Sequence, residues 1–182
     1  MIVGRKIAVC CPGPSLPDFH LVTADWWSVV AVNRAVLGVP ATHWVFLDAH
    51  IGCTTLRDAQ PKLPDDYCPD IICRPACYEE VSRRWTGFRD KFTHIDLRQF
   101  TRDNCGDYWT FSATSALKWA QCQEPNEIHL FGMDMVGKED WDGTILATNE
   151  RSEARWERER AMVSALIAET RALGIEVVKG AR

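Results

Sequence analysis

The chain has 182 residues, 46% apolar and 25% charged, with a formal charge of −4. That balance fits a folded protein with one sizeable core and excludes a disordered chain. No apolar run approaches the roughly eighteen residues of a membrane span, no secretion signal is visible, and the acidic balance argues against nucleic acid as a partner; a cytoplasmic protein is expected.

In chain order, residues 6–10 (KIAVC) form a first strand candidate, followed by a Pro-Gly-Pro-Ser turn and a short helix-like stretch towards Trp27. Residues 28–32 (SVVAV) and 43–47 (HWVFL) are the second and third, ending at Asn33-Arg34 and at Asp48. Residues 70–73 and 92–97 are weaker strands around a helix-like YEEVSRRW. A helix over 112–121 carries Ala113, Ala116, Leu117 and Ala120 on one face and leads into a strand at 127–131 (EIHLF). Residues 136–149 lack a period; a helix over 152–173 has Trp156, Val163, Leu166, Ile167 and Thr170 in phase, before a closing strand at 175–178.

Strands that are apolar throughout, alternating with helices, predict one α/β domain over residues 1–182. The expected architecture is a Rossmann-like, doubly wound, mainly parallel sheet with helices on both faces. Of the eight cysteines, Cys68, Cys73 and Cys77 are closest in spacing, and no CxxC occurs, so no metal site is expected. Cys10, Cys11 and Cys122 read as small core residues, and the pair Trp26-Trp27 and Trp119 as large ones. Alternating arginine and glutamate over 151–160 reads as a solvated helix face.

In such sheets ligands bind beyond the carboxyl ends of the strands. The residues at those ends are Gly13, Pro14 and Ser15; Asn33 and Arg34; Asp48 and His50; and Gly132, Met133 and Asp134. The turn before the helix at 112 adds Ser112, Thr114 and Ser115. Small hydroxyl and amide groups suit a sugar, a base edge or a phosphate, and Ser15 can cap the helix that follows it, whose amino end would attract a phosphate. Each group also has a plain structural use as a turn or a cap. Neither G-x-G-x-x-G nor a Walker loop is present, which disfavours NAD, FAD and P-loop chemistry.

Four islands in this order carry a family resemblance: residues 8–16 (AVCCPGPSL), 30–34 (VAVNR), 111–120 (FSATSALKWA) and 128–135 (IHLFGMDM). The chain resembles the bacterial sialyltransferases of glycosyltransferase family 42. It is also similar to the group named after the archaeal hydroxymethylpterin pyrophosphokinase and the flagellin-glycosylation accessory factors. The resemblance implies that Gly13, Pro14, Ser15 and Asn33 face a CMP-sugar-like donor. It further implies that Ser112, Thr114 or Ser115 lies near the phosphate or sugar, and Gly132 and Asp134 against ribose and base, with no metal needed. Arg34 is expected either as a further partner for the leaving phosphate or as a plain surface charge.

The family's general base is a histidine beyond the G-x-D strand, and here no histidine follows His129. A base would therefore come from Asp48, His50 or an acid of the segment after that strand: Asp140, Asp142 or Glu150. The expected function is a nucleotide-dependent transferase passing a sugar to a hydroxyl of a small-molecule or glycan acceptor. Two alternatives stand beside it: a diphosphotransferase using ATP and Mg²⁺, with Asp48 and Asp134 as metal acids, or a non-catalytic nucleotide-binding module. Residues 136–150 are the expected lid, with Trp141 either over the ligand or tucked onto the core; a homo-oligomer stays open.

Overall fold

The apolar runs become strands that pair only in parallel. The computed structural model describes residues 4–59, 66–97, 111–145 and 152–180. The strands are β1 (Lys6–Cys10), β2 (Ser28–Val32), β3 (His43–Val45), β4 (Asp70–Cys73), β5 (His94–Asp96), β6 (Glu127–Phe131) and β7 (Glu176–Lys179). They form one sheet in the order β5-β4-β3-β2-β1-β6-β7, parallel at every pairing.

β1 shows why these runs do not alternate. Ile7 and Val9 enter one core layer and Ala8 and Cys10 the other, and none of the four is exposed. A strand covered on both faces has no solvent side to keep polar. Helices supply the cover: α1 (Ala49–Ala59), α2 (Pro75–Arg84), α3 (Phe88–Lys91), α4 (Ser112–Cys122) and α5 (Glu153–Ala172). Two 3₁₀ turns, Leu16–Leu21 and Asn33–Leu37, replace helices after β1 and β2.

From β1 to β5 the chain steps outward with its connections on one face, where Leu16, Phe19, Val36, Tyr78 and Val81 pack. It then crosses with α4 to the other face and returns beside β1 as β6, and α5 covers that same face. The strand order therefore reverses between β1 and β6. Because α4 leads into β6 and α5 leads out of it towards β7, both helices start at the carboxyl edge of the sheet. At their far ends Lys118 Nζ donates to Gln121 Oε1 (2.5 Å) and to Glu169 Oε1 (2.7 Å), tying α4 to α5.

Some expectations move. β3 stops at Val45 rather than 47, and β5 shrinks to three half-buried residues at the sheet edge. The helix around YEEVSRRW starts earlier, at Pro75, where a proline's missing N–H and fixed φ suit the first helical position. Cys122 is exposed at the end of α4. Trp27 is 47% exposed and lies under the Arg5 guanidinium, 5.0 Å from the ring centre; it precedes β2, outside the layers. Trp119 does sit in the core, and Trp26 is half-buried against Phe19 and Phe131. No helix among the described residues is long and apolar enough to cross a membrane.

Candidate functional site

At the carboxyl ends of β1 and β6 two loops touch, and small residues let them. Gly13 N–H donates to the Gly132 carbonyl (2.9 Å), extending the ladder past the strands. A methyl group on Gly13 would come within 2.4 Å of that oxygen, and one on Gly132 within 1.9 Å of the Cys11 carbonyl. Gly132 also has φ +62, a region closed to most side chains. The Pro-Gly-Pro-Ser turn is thus shaped by its neighbouring loop.

Ser15 and Asp134 fasten the same two loops. The Asp134 carboxylate accepts the Ser15 N–H (2.8 Å) and the Ser15 hydroxyl (2.7 Å), while Ser15 Oγ accepts the Gly132 N–H (3.2 Å). The expected cap does not form: Ser15 precedes the Leu16–Leu21 turn, but its side chain makes no bond to that turn's amides. Pro14 is exposed beside them.

Next to this junction lies a small cleft of about 80 Å³, partly open to solvent, with Gly13, Asn33, Ser112, Gly132 and Met133 in its wall. Asn33 follows β2 with φ +51, a conformation asparagine tolerates better than most residues, and its carbonyl accepts the Trp44 Nε1 proton (2.8 Å). Ser112 opens α4. Its N-cap is Phe111, in extended conformation, a residue whose side chain makes no capping bond. Thr114 and Ser115 are fully buried and turn their hydroxyls to the Phe111 carbonyl (2.9 and 3.0 Å). So of the three hydroxyl residues only Ser112 lines the cleft, beside Ala113 in the first turn of α4.

The opposite wall comes from α5. Ser152 caps that helix by accepting the Arg155 N–H, and Arg155, Trp156 and Glu159 face the cleft. Arg155 stacks its guanidinium over Phe111 (5.6 Å), and its Nε has no hydrogen-bond partner among the described residues. Trp156 donates Nε1–H to the Gly137 carbonyl (3.1 Å). Glu159 is 6% exposed. Cys11, on the floor, is no nucleophile: burial first, then the Glu159 carboxylate, push its thiol well above the ordinary value.

Other candidates lie elsewhere. Asp48 and His50 are exposed at the start of α1, where Asp48 Oδ1 accepts the His50 N–H (2.7 Å) as a helix cap. Neither lines the cleft. Arg34 is buried and engaged by three aspartates: it donates to Asp58 and to Asp142 (3.0 Å), with Asp140 at 3.4 Å from Nε. Asp142 and Arg34 therefore hold each other, away from the cleft. Trp141 does not cover the cleft either; its backbone N–H donates to the Pro12 carbonyl (2.8 Å) and its ring packs on Gly38. Glu150 and residues 146–149 lie outside the described residues.

Arg155 and Glu159 are the site residues that strand-end reasoning misses. A signal for the second existed: Glu159 is in phase with Val163, Leu166, Ile167 and Thr170, so it occupies a core-facing stripe that the charge alternation disguises. Among the described residues no three His, Cys, Asp or Glu side chains converge as metal ligands. No family model, no curated protein and no solved structure matches the chain.

Proposed function

We propose that the protein is a nucleotide-dependent transferase that binds its donor in the cleft between the ends of β1 and β6. One observation carries this reading: the amino end of α4, whose N-cap Phe111 makes no capping bond, and the Arg155 side chain converge on the cleft where the strand order reverses. Helix amides and a guanidinium suit a phosphate, and the reversal point is where doubly wound sheets take nucleotides. Asn33, Ser112 and Trp156 then meet the sugar and base.

A CMP-sugar-like donor and a hydroxyl acceptor follow from the family resemblance, with the leaving phosphate stabilised by α4 and Arg155. The ATP- and Mg²⁺-dependent alternative is supported less well, because Asp134, one of its two strand-end acids, is taken by Ser15.

Thermal shift with CMP, CDP, UDP, GDP and ATP, each with and without Mg²⁺, tests the reading. A ligand at a hundred times its Kd adds about 2.7 kcal/mol to the folded state. Stabilisation by a cytidine nucleotide without metal is expected, and turnover of CMP-sugars is then assayed. A shift with ATP and Mg²⁺ alone supports the diphosphotransferase; no shift with any nucleotide overturns both.

A further inference from the structure

Two sulfurs meet where β4 passes into α2. Cys73 ends the strand, and Cys77 lies in the first turn of the helix. Arg74 between them is extended and Pro75 fixes φ at the first helical position, so the chain turns sharply there. The Cys77 and Tyr78 N–H groups both return to the Arg74 carbonyl (2.9 and 3.0 Å). The turn brings the side chains together, and the Cys73 thiol donates a hydrogen bond to the Cys77 sulfur. Neither residue lines the cleft.

That contact gives the two thiols different roles. A sulfur that accepts a hydrogen bond carries negative charge more easily, and one that donates keeps its proton. The hydrogen bond from Cys73 draws the Cys77 thiol below its ordinary 9.0; burial opposes it, as do Asp48 and Glu80, and the Arg74 cation assists. The first turn of a helix favours the same thiolate. The same hydrogen bond, and then burial, keeps Cys73 protonated. Access divides them in the same sense. Cys73 is 0% exposed and Cys77 is 7% exposed, with Arg74 and Ala76 exposed on either side of it in the chain. Helix ends fray, so a small oxidant reaches Cys77 before Cys73.

We propose that Cys73 and Cys77 form a dithiol site that a peroxide closes reversibly to a disulfide. The Cys77 thiolate attacks one peroxide oxygen, the O–O bond breaks, and the departing hydroxide is protonated to water, leaving a sulfenic acid. Cys73 gives up its proton and attacks the Cys77 sulfur; the S–O bond breaks, and the hydroxyl takes that proton and leaves as a second water. Two electrons pass from the thiols to the peroxide. The assignment is independent of the nucleotide reading.

Peptide mapping by mass spectrometry tests it, on the intact folded protein treated with hydrogen peroxide and then alkylated. The expected product is lighter by about 2 Da before alkylation, the two hydrogens of one disulfide, which maps to Cys73 and Cys77 and is reversed by dithiothreitol. Cys73→Ser, which keeps a hydroxyl donor, is expected to trap the sulfenic acid, so that dimedone labels Cys77; Cys77→Ser is expected to leave Cys73 unlabelled. Cys68 and Cys122 are the exposed thiols, and a purely structural pair predicts that they react in its place. Bridges confined to those two, or Cys73 and Cys77 both still alkylated after peroxide, overturn the assignment. So does a Cys73–Cys77 bridge that forms only in urea sufficient to unfold the chain.

Discussion

Gly132 is where a single methyl group has the largest expected effect. Its φ of +62 and the 1.9 Å approach of an added Cβ to the Cys11 carbonyl act together. Left-handed backbone costs roughly 1–2 kcal/mol for a residue with a side chain, and forced overpacking roughly 1–3 kcal/mol more. Gly132→Ala is therefore expected to lose about 3 kcal/mol of stability, read as a lower urea midpoint with the slope unchanged. At this scale glycine and serine were legible as strand-end residues, yet their reason was not. Sequence marks Gly13, Ser15 and Asp134 as belonging together only when the order of strands places residues 13 and 132 side by side. Glu159 was hidden for the opposite cause, since its charge masks a buried position.

Among the elements, the segment over 136–145 is held by chemistry more than by regular structure. It makes one antiparallel bridge, Glu139 to Ile145, and its aspartates close on Arg34, whose side chain is 4% exposed. Removing one partner of a buried ion pair leaves the others uncompensated, at a cost of about 3–5 kcal/mol. Arg34→Ala is expected to lose that much in chemical unfolding, and Arg34→Lys to recover little, because one ammonium cannot serve carboxylates arrayed around a planar fork. Since Val136 and Glu139 belong to the cleft wall, the proposed nucleotide binding is expected to weaken with it. The strands themselves were legible wherever both faces are buried, as in β1, β2 and β6. β5 was not delimited, because an edge strand of three half-buried residues carries too short a pattern. The convergence of Asp58, Asp140 and Asp142 on one arginine is a tertiary fact with no local signature.

Over the whole molecule, polar groups divide between the two ends of the sheet, and the amino end tempts misreading. Ser28 Oγ lies 2.9 Å from His43 Nδ1, and His43 Nε2 lies 4.0 Å from Asp70. The order is that of a hydrolase triad, but Ser28 is 2% exposed and a nucleophile must reach its substrate. What this cluster does control is pH response. Burial lowers the His43 pKa below its ordinary 6.5, with Asp70 offsetting only part. The unfolded chain then binds a proton that the folded one refuses, so stability drops as pH falls below about 6.5. Melting temperature measured from pH 8 to 5 is expected to decline across that window, and His43→Gln to flatten the decline. A second loss begins in acid: burial raises Asp58 and Asp142, but hydrogen bonds from Arg34 to Asp58, and from Thr144 and Arg34 to Asp142, outweigh it and hold both below their ordinary 3.8. Depressed carboxyls contribute stability above that value and lose it as pH falls through their folded pKa.

The reversal of strand order also sets a clock on biosynthesis. β1 gains β2 as a neighbour within a few tens of residues, whereas its other edge waits for β6, where Lys6 pairs with Glu127. At translation rates of about 5–20 residues per second, roughly a hundred further residues take about 5–20 seconds to emerge. Through that interval the nascent chain presents the open edge of a strand whose Ile7, Ala8, Val9 and Cys10 are all buried in the finished fold, the feature that recruits unwanted pairing. No molecule bound in the cleft could shorten the wait, because half of the cleft, α4, Gly132 and α5, arrives with or after the strand that ends it. Whatever binds the cleft would act on the finished fold alone.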